Sequence, residues 1–441
     1  MSGPLLSVKM GHPLVCIVGE FPSHSETFVE QELRFLAKEG LDPLVLALSP
    51  SRLPDSDPRT RGLPPVRVCP MAFNKEIASD VLHWFGADPV RFILVLMRII
   101  QMEWEHPRDV SWAFRSLPGI LSLARRLEPG TTRLFYAHFA GVPTTLAAAL
   151  SDLTGVPFAF SCHARDIYAG SSLPLKAQRA SLIITCTQAN RIHLTSICGV
   201  ETEAKSRVIY HGTDPGIFKP AERKGRPEEP PLILTGGRLV PKKGFDTLIR
   251  ACAKLRDTGR PFRCCILGEG EERRRLEGLT SELSLGQKVT FVGMVPHGSM
   301  EDYLNRADIV VAPSIIAADG DRDGIPNILV EAMACGKPVV ASRLSGIPEL
   351  VSDGETGLLV PPGDPGALFD ALVRPLDDPV MGARMGKAGR AKVLREFNAE
   401  RNCALVARAL RGLMKDVSDV KDQESGTLAS DPRSPGSMAR G

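Results

Sequence analysis

Short apolar runs rich in β-branched residues alternate with longer stretches of helical period along most of the chain. In the first half the runs fall at 14–18, 44–48, 134–137, 158–161, 182–186 and 207–210. Between the first two, the stretch 26–39 sets Phe28, Val29, Leu33 and Leu36 on one helix face, and Gly40 offers a C-terminal stop. The second half repeats the pattern, with runs at 232–234, 264–267, 289–292, 309–312 and 339–341. Each run is followed by a Gly-, Pro- or Ser-rich turn and then a helical stretch, as at 246–255 and 300–304. Strand–helix–strand units in series predict an α/β protein with parallel sheets covered on both faces. Two doubly wound halves in one chain predict a cleft between them.

The segment 219–231 is charged, holds four prolines and has no apolar period, so it reads as a linker. Residues 50–70, rich in Pro, Arg and Ser, read as a long surface loop. Residues 416–441 have almost nothing to bury and read as a disordered tail.

Composition narrows the class. A chain of 441 residues suggests two or three domains at about 150 residues each. Lys and Arg number 54 against 51 Asp and Glu, and a net charge of +3 gives no case for a nucleic-acid partner. The ten cysteines show no CxxC pair and no zinc spacing, which reads as free thiols in a reducing cytoplasm. The start of the chain lacks the pattern of a signal peptide. The most apolar stretch, 92–97, is far short of the ~20 residues that span a bilayer. Around it, 90–105 mixes Phe92, Ile93, Leu96, Ile99 and Ile100 with Arg91 and Arg98. This stretch admits two readings: a helix packed on the first domain, or one resting on anionic lipid.

Three clusters carry candidate chemistry. After the run at 232–234 come Gly236, Gly237, Arg238, Lys242, Lys243 and Gly244. Paired glycines let a backbone approach a ligand closely, Arg238 can fork onto phosphate oxygens, and Lys243 adds a mobile point charge. That set suits a diphosphate, although the spacing is not a Walker loop. Asp323 and Glu331 are separated by seven residues, with Pro326 suited to the first position of a helix carrying Glu331. Free amides at that helix start favour an anion nearby. Glu331 is surrounded by Ile328, Leu329, Val330, Ala332 and Met333, so its carboxylate is at least half buried. His163 ends a strand, where ligand crevices open in α/β sheets, and His138 ends another and competes for the same role.

These pieces, in this order, resemble the GT-B glycosyltransferases of family 4, the retaining nucleotide-sugar enzymes. The resemblance runs from about residue 14 to about 398 and is strongest over 232–362. The stretch 323–334 resembles that family's E-x7-E motif, 237–244 its diphosphate-gripping loop, and 338–350 with 354–360 its closing segments. In the first half, 21–28 and 160–168 are similar to members that build bacterial exopolysaccharide, colanic-acid-type enzymes among them.

The resemblance implies two Rossmann-like domains facing a central cleft. The first, 1–218, would bind acceptor, and the second, 232–398, would bind the nucleotide sugar. A helix at 399–415 would return to the first domain. It implies transfer of a hexose from a UDP- or GDP-sugar to a glycan or lipid-linked oligosaccharide acceptor. No cofactor and no metal are implied, and the location is the cytoplasm or the inner face of the plasma membrane. By position, Glu331 would hold the ribose hydroxyls, and Arg238 and Lys243 would neutralise the leaving diphosphate. Asp323, with the amides of Gly324, Ile325 and Asn327, would hold the donor sugar. His163 would bond the sugar near the reacting carbon. Gly237, Gly268 and Val295 would shape the donor pocket, and Ser25, Glu26 and His138 would lie on the acceptor side.

Two departures mark this chain. The first acid is Asp323 where Glu is common, one methylene shorter. The loop after the first strand, 20–26, replaces a Gly-rich turn, and Ser25 and Glu26 could instead cap the next helix. The competing readings are an NAD-type dehydrogenase, though no G-x-G-x-x-G follows a strand, and a non-catalytic glycan-binding protein on the same fold.

Overall fold

The computed structural model describes residues 10–428 apart from 24–25, 54–56, 58–59, 71–73, 169–172 and 222–228, and it omits the side chains of residues 297 and 416–428. Ser25, part of the linker and the end of the tail therefore lie outside the described residues.

The strands form two all-parallel sheets. The first holds β1 (Leu14–Phe21), β2 (Pro43–Pro50), β3 (Val66–Val68), β4 (Leu134–His138), β5 (Phe158–Cys162), β6 (Leu182–Thr185) and β7 (Ser206–Val208), in the order β3-β2-β1-β4-β5-β6-β7. The second holds β8 (Leu232–Gly236), β9 (Arg263–Leu267), β10 (Val289–Gly293), β11 (Ile309–Ala312), β12 (Val339–Ser342) and β13 (Leu358–Val360), in the order β10-β9-β8-β11-β12-β13. Both sheets reverse winding beside their first strand, between β1 and β4 and between β8 and β11. Crevices for ligands form at such points.

The central strands are largely apolar because both faces are covered. Along β1, Val15 and Ile17 join one buried cluster while Leu14, Cys16 and Val18 join the cluster on the opposite face. That second face is covered by the helix Thr27–Lys38 through Val29, Leu33 and Leu36, and by the helix Ala399–Leu428 through Val406, Ala407 and Leu410. The C-terminal helix is tied at its rim by Lys38–Glu400 at 3.0 Å and Arg411–Glu39 at 3.2 Å. Where it leaves the second sheet, Thr213 donates to the Phe397 carbonyl at 3.0 Å, and Ala399 donates back to Thr213 at 3.1 Å. The chain thus crosses between sheets twice, after β7 and before this helix.

Two local expectations change. The loop expected over 50–70 contains β3, a three-residue edge strand that the prolines before it disguise. The final strand β13 is equally short. The tail expected to be disordered from 416 remains helical to Leu428. Extending a docked helix needs no new nucleus, and no proline interrupts the chain before Pro432.

Leu410 is wholly buried between the C-terminal helix and the first sheet. Leu410→Ala is expected to destabilise the protein by about 3 kcal/mol in urea unfolding, as a core Leu truncation does.

Candidate functional site

The site begins where backbone meets backbone. Gly237, Gly268 and Gly293 follow or end β8, β9 and β10, all with positive φ (145°, 115° and 87°). A Cβ on Gly268 would lie 2.0 Å from the Gly237 carbonyl oxygen, and the Gly268 N–H donates to the Gly293 carbonyl at 2.7 Å. The three loops pack as a glycine floor, in which backbone leaves Gly268 no room for a side chain and all three residues hold a conformation that side chains disfavour. Val295 is half-buried just beyond it.

The loop after β8 is pinned by Gly244, where a Cβ would lie 2.1 Å from the Pro313 carbonyl oxygen, and by the Ile315 N–H, which donates to the Lys242 carbonyl at 2.8 Å. This seats the 3-10 turn Pro241–Lys243 on the segment after β11. Lys243 Nζ then reaches both Asp323 oxygens at 3.0 and 2.9 Å, and Ser314 Oγ donates to Asp323 Oδ2 at 2.7 Å. Lys242 pairs with Asp321 at 3.0 Å and lies 3.8 Å from Asp323. Burial pushes the Asp323 carboxyl up. The charges of Lys243 and Lys242 and the bonds from Ser314 and Lys243 outweigh that and hold it below its ordinary value. Asp323 is therefore a buried anion. Lys243, assigned in sequence to the diphosphate, makes its direct contact here with Asp323. Asp321 and Ser314 were missed in sequence and Lys242 was given no role, and the only signal was the paired Lys-Lys and Asp-x-Asp spacing.

The helix Asn327–Ala334 follows. Pro326 stands at its N-cap with φ −62° and ψ 128°, one position earlier than expected, and no side chain caps the helix. Asn327 is exposed at its start. Glu331 is half-buried and lines a cavity of about 220 Å³ with Asn327 and Val330. The far wall of the cavity is built from the first domain, by Phe28, Gln31 and His211 among others. Burial alone pushes the Glu331 carboxyl from 4.5 up to about 7. The two carboxylates of the motif are thus opposite in character, one ionised in a cationic cage and one poised near neutrality.

Across the cleft, the His163 ring stacks on His211 at 5.0 Å and lies against Phe28 at 4.9 Å and Phe139 at 4.7 Å. Asp166 Oδ2 accepts the backbone N–H groups of His163 at 3.2 Å and Ala140 at 3.1 Å, which fixes the turn after β5. Glu26 occupies the N-cap position of the helix Thr27–Lys38 without making a side-chain cap bond. Burial, then the charges of Glu20 and Asp166, push its carboxyl up to about 7, while Arg238 pulls it down. Arg238 is exposed and thus lies within electrostatic reach of Glu26 across the cleft.

Of the two competing histidines, His163 is half-buried and stacked on His211, which lines the cavity, and His138 is sealed in the core. His138 is 1% exposed, bonded to Ser161 Oγ at 3.2 Å and packed on the Tyr136 ring. Burial, then His163, push it down to about 3, so it is a neutral core residue. Its buried neighbour Glu32, unmarked in sequence, accepts a bond from the Tyr136 hydroxyl at 2.9 Å and is pushed up by burial to about 7. Gly324 and Ile325 lie at the seam between domains. A Cβ on Gly324 would meet Ala164 Cβ at 3.6 Å. Among the described residues, no helix is long and apolar enough to cross a membrane.

Two parallel sheets facing a cleft, with a lysine-caged carboxylate at the switch point of the second, define a GT-B glycosyltransferase. Residues 218–392 match the family described as glycosyl transferases group 1. The colanic acid biosynthesis glycosyltransferase WcaL of Escherichia coli K12 is 31% identical over 420 residues, covering 90% of this chain and 98% of that protein. The amylovoran biosynthesis glycosyltransferase AmsK of Erwinia amylovora is 42% identical over 194 residues, covering 44% and 47% of the two chains. The fold is that of a sucrose-phosphate synthase from Thermosynechococcus elongatus (TM-score 0.70, 22% identity, 92% and 100% of the chains). It is also that of Anabaena HepE in complex with UDP and glucose (TM-score 0.64, 20% identity, 91% and 100%). The chain belongs to the group 1 glycosyl transferases. Membership supports the transferase reading over the dehydrogenase and the non-catalytic binder.

Ionising Glu331 costs free energy in the folded protein that it does not cost in the unfolded chain. That penalty grows as pH rises from 4.5 to about 7 and is full above. Glu331→Gln is expected to raise the melting temperature at about pH 8 and much less at about pH 5. Equal shifts in thermal melts at both pH values would contradict the burial argument.

Proposed function

We propose that this protein transfers a hexose from a UDP- or GDP-sugar to a glycan or lipid-linked acceptor, in exopolysaccharide or cell-envelope polysaccharide biosynthesis. Transfer proceeds with retention of configuration and without a metal. The observation that carries the reading is the Asp323 anion caged by Lys243, on a loop that meets the segment after His163, with Arg238 exposed on the neighbouring loop and in electrostatic reach of Glu26. The names of the WcaL and AmsK relatives support the polysaccharide setting, and the UDP and glucose in the HepE complex support the donor class.

Breaking a sugar–diphosphate bond develops negative charge on the leaving oxygens and positive charge on the anomeric carbon. Arg238, Lys243 and the first amides of the helix Asn327–Ala334 stabilise the leaving group, the charge-neutralising part that a metal plays elsewhere. Asp323, fixed and ionised, accepts from donor-sugar hydroxyls, with Gly324 and Ile325 alongside. Glu331, in its half-buried cavity, accepts from the ribose. His163 bonds the sugar near the reacting carbon. The acceptor attacks from the side the diphosphate leaves, and a phosphate oxygen takes its proton, so the anomeric configuration is kept. Glu26 is the acceptor-side group of the first domain.

Arg238→Ala is expected to lower kcat by about a hundredfold with UDP- or GDP-sugars, as loss of one leaving-group contact does. Proton NMR of the first product is expected to show the donor's anomeric configuration. An inverted product would overturn the mechanism, and unchanged turnover in Glu331→Gln would overturn the ribose assignment.

The reading includes peripheral contact with anionic membrane. The helix Pro89–Glu103 is apolar on two opposite faces. Phe92, Val95 and Ile99 pack inward, while Val90, Ile93, Leu94, Met97 and Ile100 are exposed, with Trp104 at 74% exposure beyond its end. An exposed apolar ridge of this kind, ending in a tryptophan, suits the lipid interface. Arg98 is bonded to Asp152 at 2.8 Å, so the ridge rather than that cation is the part to test. Replacing Ile93, Met97 and Trp104 with Ser is expected to abolish flotation with anionic liposomes while leaving the melting temperature unchanged. Undiminished flotation would sink the membrane reading.

A further inference from the structure

The two domains meet along a seam that reaches the site at Gly324 and Ile325 but extends well beyond any residue the reaction scheme uses. Its central contact is a carboxylate from the second domain placed on a helix start of the first. Glu349 Oε2 accepts the N–H of Gln188 and Oε1 the N–H of Ala189, both at 2.8 Å. These are the first amides of the helix Gln188–Cys198, whose N-cap Thr187 accepts the Asn190 N–H at 3.0 Å. Thr187 and Glu349 therefore divide the free donors of this helix end between them, one from within the domain and one from outside. A carboxylate there gains from two charge-assisted bonds and from the positive end of the helix.

The rest of the seam is shaped to let that contact form. A Cβ on Gly346 would lie 2.4 Å from Thr187 Cγ2, so only glycine lets the segment come this close. Ser345, just before it, has φ +49°, a left-handed conformation unfavourable for a residue with a side chain. Further along, the Arg322 guanidinium sits 4.3 Å over the Tyr168 ring, and Gly324 rests against Ala164. Arg322 and Gly324 flank Asp323. Ala164 and Tyr168 bound the short helix that begins directly after His163. The seam thus runs from Glu349 to the two loops that carry the facing site residues.

We propose that Glu349 is a positioning residue that sets the angle between the domains, holding the Asp323 loop opposite His163. The bidentate contact requires both domains at this one orientation. A rotation that opened the cleft would break both bonds together, leaving both amides to water and the carboxylate with only its Tyr210 contact among the described residues. Glu349 touches neither donor nor acceptor, and its effect on transfer is exerted through Asp323 and His163. The kinetic consequence rests on the transferase reading, whereas the geometric one does not.

The test uses the full chain and two independent routes into the seam. Glu349→Gln keeps the size and one acceptor but removes the charge and offers an NH2 to an N–H. Gly346→Ala drives a methyl into Thr187. Pairing it with Thr187→Ser removes the clashing Cγ2 but keeps the hydroxyl that caps the helix. In small-angle scattering of the free protein, both single variants are expected to show a larger radius of gyration. The open-to-closed ratio should rise about tenfold or more, as loss of a charged hydrogen-bonded contact implies. Binding of UDP or GDP by calorimetry is expected to stay within about twofold, because the nucleotide is held by the second domain, while kcat falls about tenfold with the donor KM little changed. The double variant is expected to recover part of both losses. Wild-type scattering curves from both single variants would overturn the proposal. So would a fall in nucleotide affinity equal to the fall in kcat, since that marks damage within the second domain. If no sugar tested turns over even in the wild type, the transferase reading fails and the scattering result alone decides the role of Glu349.

Discussion

The site depends on one buried charge. Asp323 is nearly sealed from water, yet it is held ionised by Lys243, Lys242 and Ser314. A carboxylate in such a place would protonate unless cations and donors surrounded it. Those partners come from two loops, after β8 and after β11, that are far apart in sequence and adjacent in the sheet. The ion cluster therefore demands the strand order, and the strand order in turn presents the cluster at the switch point. A buried ion pair of this kind adds little net stability over an apolar substitute, but breaking it is costly. Its physical value is a fixed anion whose position does not relax when a ligand arrives.

The contrast with Glu331 follows from the same geometry. Eight positions along the chain, on the next helix, the second carboxylate is pushed up by burial alone. The one motif yields two groups of different electrostatic character because only the first meets the loop from β8. The first domain behaves in parallel. His163 is half-buried beside the cavity residues Phe28 and His211, while His138 and Glu32 lie behind it in a polar pocket of the core.

The domains are coupled in two ways. The chain crosses between sheets at residues 212–218 and again at 397–399, where backbone bonds tie the two crossings together. Away from those crossings, contact is made by the seam of Glu349, Gly346 and Arg322 against Thr187, Gln188, Ala189 and Tyr168. A two-domain enzyme of this form needs an open state to admit substrate and a closed state to exclude water. The seam is built from contacts that are strong when aligned and absent when not.

Most strands were readable because parallel strands buried on both faces are continuous apolar runs, as in β1, β4, β8 and β11. The sequence determined this local record: the strand–helix alternation, the glycines after β8 and β9, and the order of the motifs that marks the family. The short edges β3 and β13 escaped, since three residues carry no period. The tertiary structure alone decided which residues meet. It paired Lys243 with Asp323, drew in Lys242, Asp321 and Ser314, placed His163 rather than His138 at the cleft, and set Glu349 on Gln188 and Ala189. Local pattern follows from forces between neighbours along the chain. Charge state, burial and partnership follow from which distant loops the sheets bring together, and no single segment holds that information.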